Sequence, residues 1–237
     1  TRFIHDPENP SSISSDEIYT ICGTFETVNK HSENSKKREI LWLGSVDKGL
    51  IRFDVEAGTF TIFMHDPANP NSISHNYILC ITPDAPVDPQ TLWIGTFGGG
   101  LNKLDLKNTI FTHFFELKGI PDHVVYGVMQ DNRHRLWLST NMGIASFDTR
   151  SEHFRTYDVS DGLQSYEFNG GAYLKSRQGD IYFGGIRGFN VFHPDKLHEN
   201  TYIPPVVISD HANFEEIGVY DTNTDWEDIH PIQVPSR

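Results

Sequence analysis

Short stretches of apolar side chains, each bounded by Gly, Pro, Asn or Asp, recur along this chain at a nearly fixed interval. Leu41-Trp42-Leu43-Gly44-Ser45 returns as Leu92-Trp93-Ile94-Gly95-Thr96, as Leu136-Trp137-Leu138-Ser139-Thr140 and, more loosely, as Ile181-Tyr182-Phe183-Gly184-Gly185. The aromatic anchors stand 51, 44 and 45 residues apart. A glycine turn and a second stretch follow each anchor: Gly49 to Asp54, Gly100 to Asp105, Gly143 to Asp148 and Gly188 to Phe192. A third stretch follows in three of the four, Thr59 to His65, Ile110 to Phe115 and His153 to Tyr157. The linker from His5-Asp6-Pro7 to Ser14 reappears nearly intact from His65-Asp66-Pro67 to Ser74.

Each unit therefore reads as four short strands, in the second case Tyr77 to Thr82, Thr91 to Thr96, Leu101 to Asp105 and Ile110 to Phe115. Four-stranded units repeated at this period are the pattern of β-propeller blades. A lone four-stranded sheet cannot cover its own faces, so such units stack and bury aromatics between them. Trp42, Trp93, Trp137 and Tyr182 hold one place in the repeat and are expected to pack between blades. The predicted fold class is all-β, with about four four-stranded propeller units over 1–194, divided at about 1–54, 55–105, 106–148 and 149–194. No helix is expected beyond something short near Pro194 to Asn200. The polar stretch Thr24 to Glu39 reads as a solvated loop inserted between two strands, and Pro83 to Pro89 replaces a tight turn. Thr1 to His5 aligns with an outermost strand whose blade would lie upstream, whereas the fourth unit ends at Phe192 without one. Two arrangements remain: an open arc with uncovered faces, or a closed four-bladed ring in which Arg2 to His5 completes the last blade.

Composition acts here by exclusion. The 237 residues carry 19 Lys and Arg against 32 Asp and Glu, a net charge of −13. That balance argues against a nucleic-acid partner and against broad contact with an anionic membrane surface. Hydrophobic side chains at 37% and charged ones at 22% are those of a globular chain. Cys22 and Cys80, each flanked by apolar residues, read as buried thiols or as one disulfide, so the redox compartment stays open. No apolar run reaches the roughly 20 residues of a membrane helix.

The stretch Gln130-Asp131-Asn132-Arg133-His134-Arg135-Leu136-Trp137-Leu138-Ser139-Thr140 resembles the two-component regulator propeller repeat, D-x-x-G-x-L-W-I-G-T, with His134 in place of the turn glycine. Asp161 to Ala172, continuing through Gly184 to Pro194, resembles the last blade of that family's second propeller. Pro204-Pro205-Val206-Val207-Ile208 stands where the family opens a β-sandwich. The resemblance implies a ring of about seven blades, of which this chain holds an arc, followed over 195–237 by a linker and the truncated start of the sandwich. It further implies the periplasmic sensor region of a bacterial hybrid histidine kinase of the kind found in Bacteroidetes. There, a glycan-derived ligand is sensed and the signal relayed to a transmembrane kinase. The stiff Pro204-Pro205 link is the expected route of that relay.

No catalytic signature stands out. H-E-x-x-H, G-x-S-x-G, a phosphate loop and a metal-spaced cysteine pair are all absent, and so are the phosphoacceptor and ATP-binding segments of a kinase core. The chain is thus expected to be non-catalytic and to need no cofactor or metal. The alternatives from other classes are a propeller lyase or glycosidase acting on polysaccharide and a non-catalytic scaffold that dimerises. Crossover loops and the turns between second and third strands emerge together on one face of a propeller. That face would carry His65, Asp66, Asn69, Asn76, Phe97, Asp122, His123, Asn141, Tyr166, Asn169 and Arg187, aromatics beside amide and charged groups suited to an oligosaccharide or another small ligand. Asp66 and Asn69 read equally as turn caps, with Pro67 and Pro70 fixing φ.

Overall fold

A computed structural model describes residues 1–28, 36–84, 88–115 and 119–197. Fifteen strands fall into four antiparallel sheets, each in simple up-and-down order. The first holds β1 (Ile18–Val28), β2 (Lys36–Ser45), β3 (Leu50–Asp54) and β4 (Thr59–Phe63). The second holds β5 (Ile78–Pro83), β6 (Thr91–Thr96), β7 (Leu101–Asp105) and β8 (Ile110–Phe114). The third holds β9 (Val125–Gln130), β10 (Leu136–Thr140), β11 (Gly143–Asp148) and β12 (His153–Tyr157). The fourth has only β13 (Phe168–Lys175), β14 (Ile181–Gly185) and β15 (Gly188–Phe192). Single 3-10 turns at Val159–Asp161 and Pro194–Lys196 are the helical content of the described residues. The sequence units are out of phase with the sheets, because each sheet takes its outer strand from the start of the following unit.

One packing rule joins the blades. Trp42 buries itself among Ile78, Leu92, Ile94 and Leu104 of blade two, and Trp93 among Val128, Leu136, Leu138 and Phe147 of blade three. Trp137 does the same among Phe168, Ile181 and Phe183 of blade four. Each anchor thus fills the gap over the paired aliphatic positions one blade on. Two of the three indole N–H groups have partners nearby, Trp42 Nε1 donating to Thr24 Oγ1 at 3.0 Å and Trp137 Nε1 to Asp131 Oδ2 at 3.0 Å. Tyr182 holds the same place in blade four, but its face, with Leu174, Phe189 and Val191, is open. At the other end, Leu41 and Leu43 of blade one receive no anchor, and Ile21 and Phe25 on that face are exposed, Phe25 by 66%. Phe3 lies 5.1 Å from Phe53 and 5.9 Å from Phe60, as Phe63 lies 6.1 Å from Phe111. It stands on blade one where an outer-strand residue would, without being in a strand. The closed four-bladed ring is therefore not formed: among the described residues β15 pairs only with β14, and Arg2 to His5 completes no sheet.

The insertion is also not a loop throughout. Its flanks extend the β1–β2 hairpin, with Phe25 opposite Glu39 and Glu26 opposite Arg38. Arg38 reaches Asp54 at 2.9 Å, and Arg52 grips both oxygens of Glu26 at 2.8 and 3.3 Å, so cross-strand ion pairs replace apolar alternation. Cys22 and Cys80 are both free thiols, and full burial pushes Cys80 up to about 12. The expected linker and sandwich, including Pro204 and Pro205, lie outside the described residues apart from 195–197.

Candidate functional site

In blades one to three the turn between the second and third strands is tied to the crossover that leads into the next blade. Gly49 donates its N–H to Asn76 O at 2.9 Å, Gly100 to His123 O at 2.8 Å and Gly143 to Tyr166 O at 2.7 Å. Each of these glycines has positive φ (72°, 68° and 97°), and a β-carbon would strike the carbonyl of Phe63, Phe114 or Tyr157 in the outer strand. Only glycine fits, and the repeated latch puts turns and crossovers on one face.

Inner strands bulge at one place on that face. Register shifts skip Tyr19 in β1, Leu79 in β5 and Tyr126 in β9, and set the four residues Asn169 to Ala172 of β13 against Gly184. The bulge turns Tyr19 inward until its hydroxyl occupies the space a β-carbon on Gly170 would need. Tyr19 meets Tyr77 edge-on at 5.7 Å, and Tyr77 stacks on Phe97 at 5.3 Å with planes 27° apart. Tyr19 and Phe97 stay 42% and 46% exposed, so this aromatic row is presented to solvent. Beside it Tyr126 donates its hydroxyl to Asn141 Oδ1 at 2.8 Å. Burial raises the phenols of Tyr19 and Tyr126 above the ordinary tyrosine value, Tyr126 further through the nearby Glu167 and Asp122 carboxylates. Both remain neutral hydroxyls that donate and accept.

The residues expected from sequence divide by what their side chains already do. Asp66, Asn69 and Asp122 accept the N–H of Ala68, Asn71 and Val124 at 2.9, 3.0 and 2.7 Å, which makes them turn caps. The His65 ring bonds Ile73 O at 2.8 Å, and Asn76 Oδ1 accepts the His65 N–H at 2.7 Å. Asn141 holds Tyr126, and His123 holds the Gly98 and Gly100 amides through its carbonyl. Phe97, Tyr166 and Asn169 present exposed side chains, as does Arg187, whose backbone N–H is held by Gln164 Oε1 at 2.8 Å. Tyr19, Tyr77 and Tyr126 were not foreseen, although a tyrosine beside the start of three inner strands was the available signal.

The exit from blade four is anchored to blade three. Arg133 Nε lies 2.7 Å from Asp195 Oδ1 and Arg135 donates to Pro194 O at 3.3 Å, while within blade four the His193 ring bonds Gln178 O at 3.2 Å.

Fold and face together define an arc of propeller blades with an aromatic, amide-rich surface. No family model matches the chain. A histidine kinase of Formosa agariphila is 26% identical in a match covering 72% of this chain and 16% of that protein. Among solved structures, the extracellular domain of a protein described as a hybrid two-component system of B. thetaiotaomicron superposes with a TM-score of 0.61 at 19% identity, over 82% of this chain and 23% of that one. A second such domain from the same organism gives 0.54 at 20% identity, over 82% and 32%. The resemblance drawn from the repeat motif holds: a histidine kinase shares sequence with this chain, and extracellular domains described as belonging to hybrid two-component systems share its blades. The chain spans about a sixth of the curated relative it matches.

Proposed function

We propose that this chain is the ligand-receiving part of a periplasmic sensor, which binds a glycan-derived molecule and passes the signal to a transmembrane histidine kinase. The observation that carries the reading is the row Tyr19, Tyr77, Phe97 on the latched face, flanked by the Tyr126 hydroxyl and exposed Asn169. Sugar rings stack on such rings while their hydroxyls exchange hydrogen bonds with phenol and amide groups. The location and the sensor role are supported by the solved relatives, which are extracellular domains. The kinase core belongs outside these residues.

Relay follows from stiffness. Blades wedged by buried indoles move as bodies, and the exit at His193 to Lys196 is clamped to blade three, so movement of the arc carries into the chain beyond it. Glycine at Pro204 and Pro205 in the full-length parent should leave ligand affinity intact and weaken signalling.

A thermal-shift panel of oligosaccharides tests the ligand reading, since a ligand selective for the folded chain raises its Tm. Phe97→Ala and Tyr77→Ala should each weaken the active sugar roughly tenfold, about 1.4 kcal/mol. Undiminished binding by both variants would sink the aromatic-row site. Turnover of the sugar would favour a polysaccharide-processing enzyme. A second reading, assembly with its twin, is favoured by the open blade faces around Phe25 and Phe189. Silence toward every sugar, with concentration-dependent dimerisation, would favour it.

A further inference from the structure

At the opposite end of the inner strands, away from the aromatic row, lies a hollow of about 400 Å³. Thr82 and Pro83 at the end of β5, Gln130 to Asn132 and His134 around the β9–β10 turn, and Lys175 at the end of β13 form its walls. It is thus shared by blades two, three and four. Three observations there are independent of one another. The Lys175 ammonium donates to Gln130 O at 2.8 Å and to Asn132 Oδ1 at 3.1 Å, both neutral, and among the described residues no carboxylate ion-pairs with it. A three-donor cation is left with one N–H and its full charge uncompensated.

The second is His134. It sits at the turn position of the blade motif in left-handed backbone (φ 67°), whereas the matching turn of blade four has Gly179 (φ 93°) closing the same i to i+3 bond. A side chain there carries backbone strain that glycine does not. The third is its ring: Nδ1 is enclosed and meets no hydrogen-bond partner. That leaves Nε2 as the nitrogen suited to carry a proton. Backbone strain at a residue on the wall of a cavity is a mark of a binding group.

The two carboxylates nearby are already engaged. Asp131 accepts the N–H of Arg133 and Arg135 at 2.8 and 2.9 Å, the Arg135 guanidinium at 2.8 Å and the Trp137 indole. Asp84 accepts from the Gln130 amide, and its burial raises its pKa above the ordinary carboxylate value. The Gln130 side chain is thereby turned to the wall and its carbonyl to Lys175.

We propose that this hollow is a binding site for a small oxyanion, a carboxylate or sulfate group, with Lys175 as its charge partner and the His134 imidazole as its second donor. It is separate from the sugar-stacking row and does not depend on it. The hollow shares the Asp131 to Arg135 turn with the clamp that holds the chain's exit, so an anion there stiffens the element from which Arg133 reaches Asp195.

The test is a titration of the full chain at constant ionic strength with galacturonate, sodium sulfate, galactose and sodium chloride, followed by Tm and by calorimetry. Galacturonate or sulfate should raise Tm where galactose and chloride do not. Binding of galacturonate alone identifies a sugar-borne carboxylate, and binding of both identifies the bare oxyanion. Lys175→Met should weaken the anion at least tenfold. His134→Gly should raise the Tm of the free chain while also weakening the anion, a pair of opposed effects that a merely structural residue would not give. Equal responses to chloride and the oxyanions, or affinities within twofold of the unaltered chain in both variants, would overturn the assignment. Phe97→Ala should leave this titration untouched.

Discussion

Blades two and four are built on the same repeat and differ in one strand. In blade two, β8 lies outside β7, and its Phe114 carbonyl closes over Gly100, while Trp93 and Phe114 pack at 5.9 Å beneath blade three. In blade four no strand among the described residues lies outside β15. A β-carbon on Gly188 (φ 116°) would meet nothing within 4 Å, and Tyr182 looks outward with Phe189 at 6.3 Å, the latter 65% exposed. A cleft of about 170 Å³ lined by Trp137, Leu163, Val191 and Phe192 opens beside that unpaired edge. The anchor motif therefore specifies a strand, but its energetic weight depends on what covers it.

Replacing the two anchors with alanine is the strongest test of that contrast. Trp93→Ala removes a side chain 1% exposed from a core sealed on both sides and should cost about 3–5 kcal/mol in urea unfolding. Tyr182→Ala, on an open face, should cost less than about 1 kcal/mol. Equal losses would mean that blade four is covered in solution, by a second copy or by another segment.

The turn glycines sharpen the comparison at lower cost. Gly100→Ala adds left-handed strain and drives a methyl into the Phe114 carbonyl, about 2–4 kcal/mol in all. At Gly188 only the strain remains, about 1–2 kcal/mol. A Gly188→Ala variant as unstable as Gly100→Ala would again place something over β15.

Acid separates the blades by chemistry. The third strands of blades one to three end on Asp54, Asp105 and Asp148, where blade four has His193. The Ala57 N–H holds Asp54 below the usual carboxylate value, the Asn108 side chain does so for Asp105, and the Ser151 N–H for Asp148. A carboxyl lowered in the folded chain contributes stability above its unfolded pKa, about 4, and loses it as pH falls through the folded value. Urea midpoints should therefore drop below about pH 4. Asparagine at all three positions keeps an acceptor for the turn and should flatten that fall. An unchanged slope would assign acid sensitivity elsewhere.

How much of this was legible in the sequence follows from the same chemistry. The blades were, because the turn glycines after each anchor, Gly49, Gly100 and Gly143, and the strand-ending aspartates mark a step that only glycine or a capping carboxylate can make. The β1–β2 extension was not: Thr24, Glu26, Arg38 and Glu39 look like a solvated loop, and what makes them strand is Arg38 on Asp54 and Arg52 on Glu26, pairings that span 16 and 26 residues. Of the candidate site, Phe97 came from its turn. Tyr19 and Tyr126 did not, because the bulge that turns them inward breaks the alternation by which a strand face is read. His65, Asp66 and Asn69 were chosen for their chemistry, and their loop already uses it.

The smallest effect concerns the β9–β10 turn against its counterpart in blade four. Both turns close the same bond, His134 N to Asp131 O at 3.3 Å and Gly179 N to Ser176 O at 3.1 Å. One carries a β-carbon in left-handed backbone and the other does not. The structure thus contains its own control for the strain. His134→Gly gives the unfolded chain more freedom, which costs a few tenths of a kcal/mol, but removes about 1–2 kcal/mol of native strain and frees an enclosed, unpartnered ring nitrogen. The net expectation is a gain of about 1 kcal/mol. Gly179→Ala, the reverse change, should lose about the same, with its β-carbon 3.1 Å from Asn132 Nδ2 adding crowding. Should His134→Gly destabilise the chain instead, the imidazole is held by packing that outweighs the backbone, and strain can no longer be counted as a mark of that site.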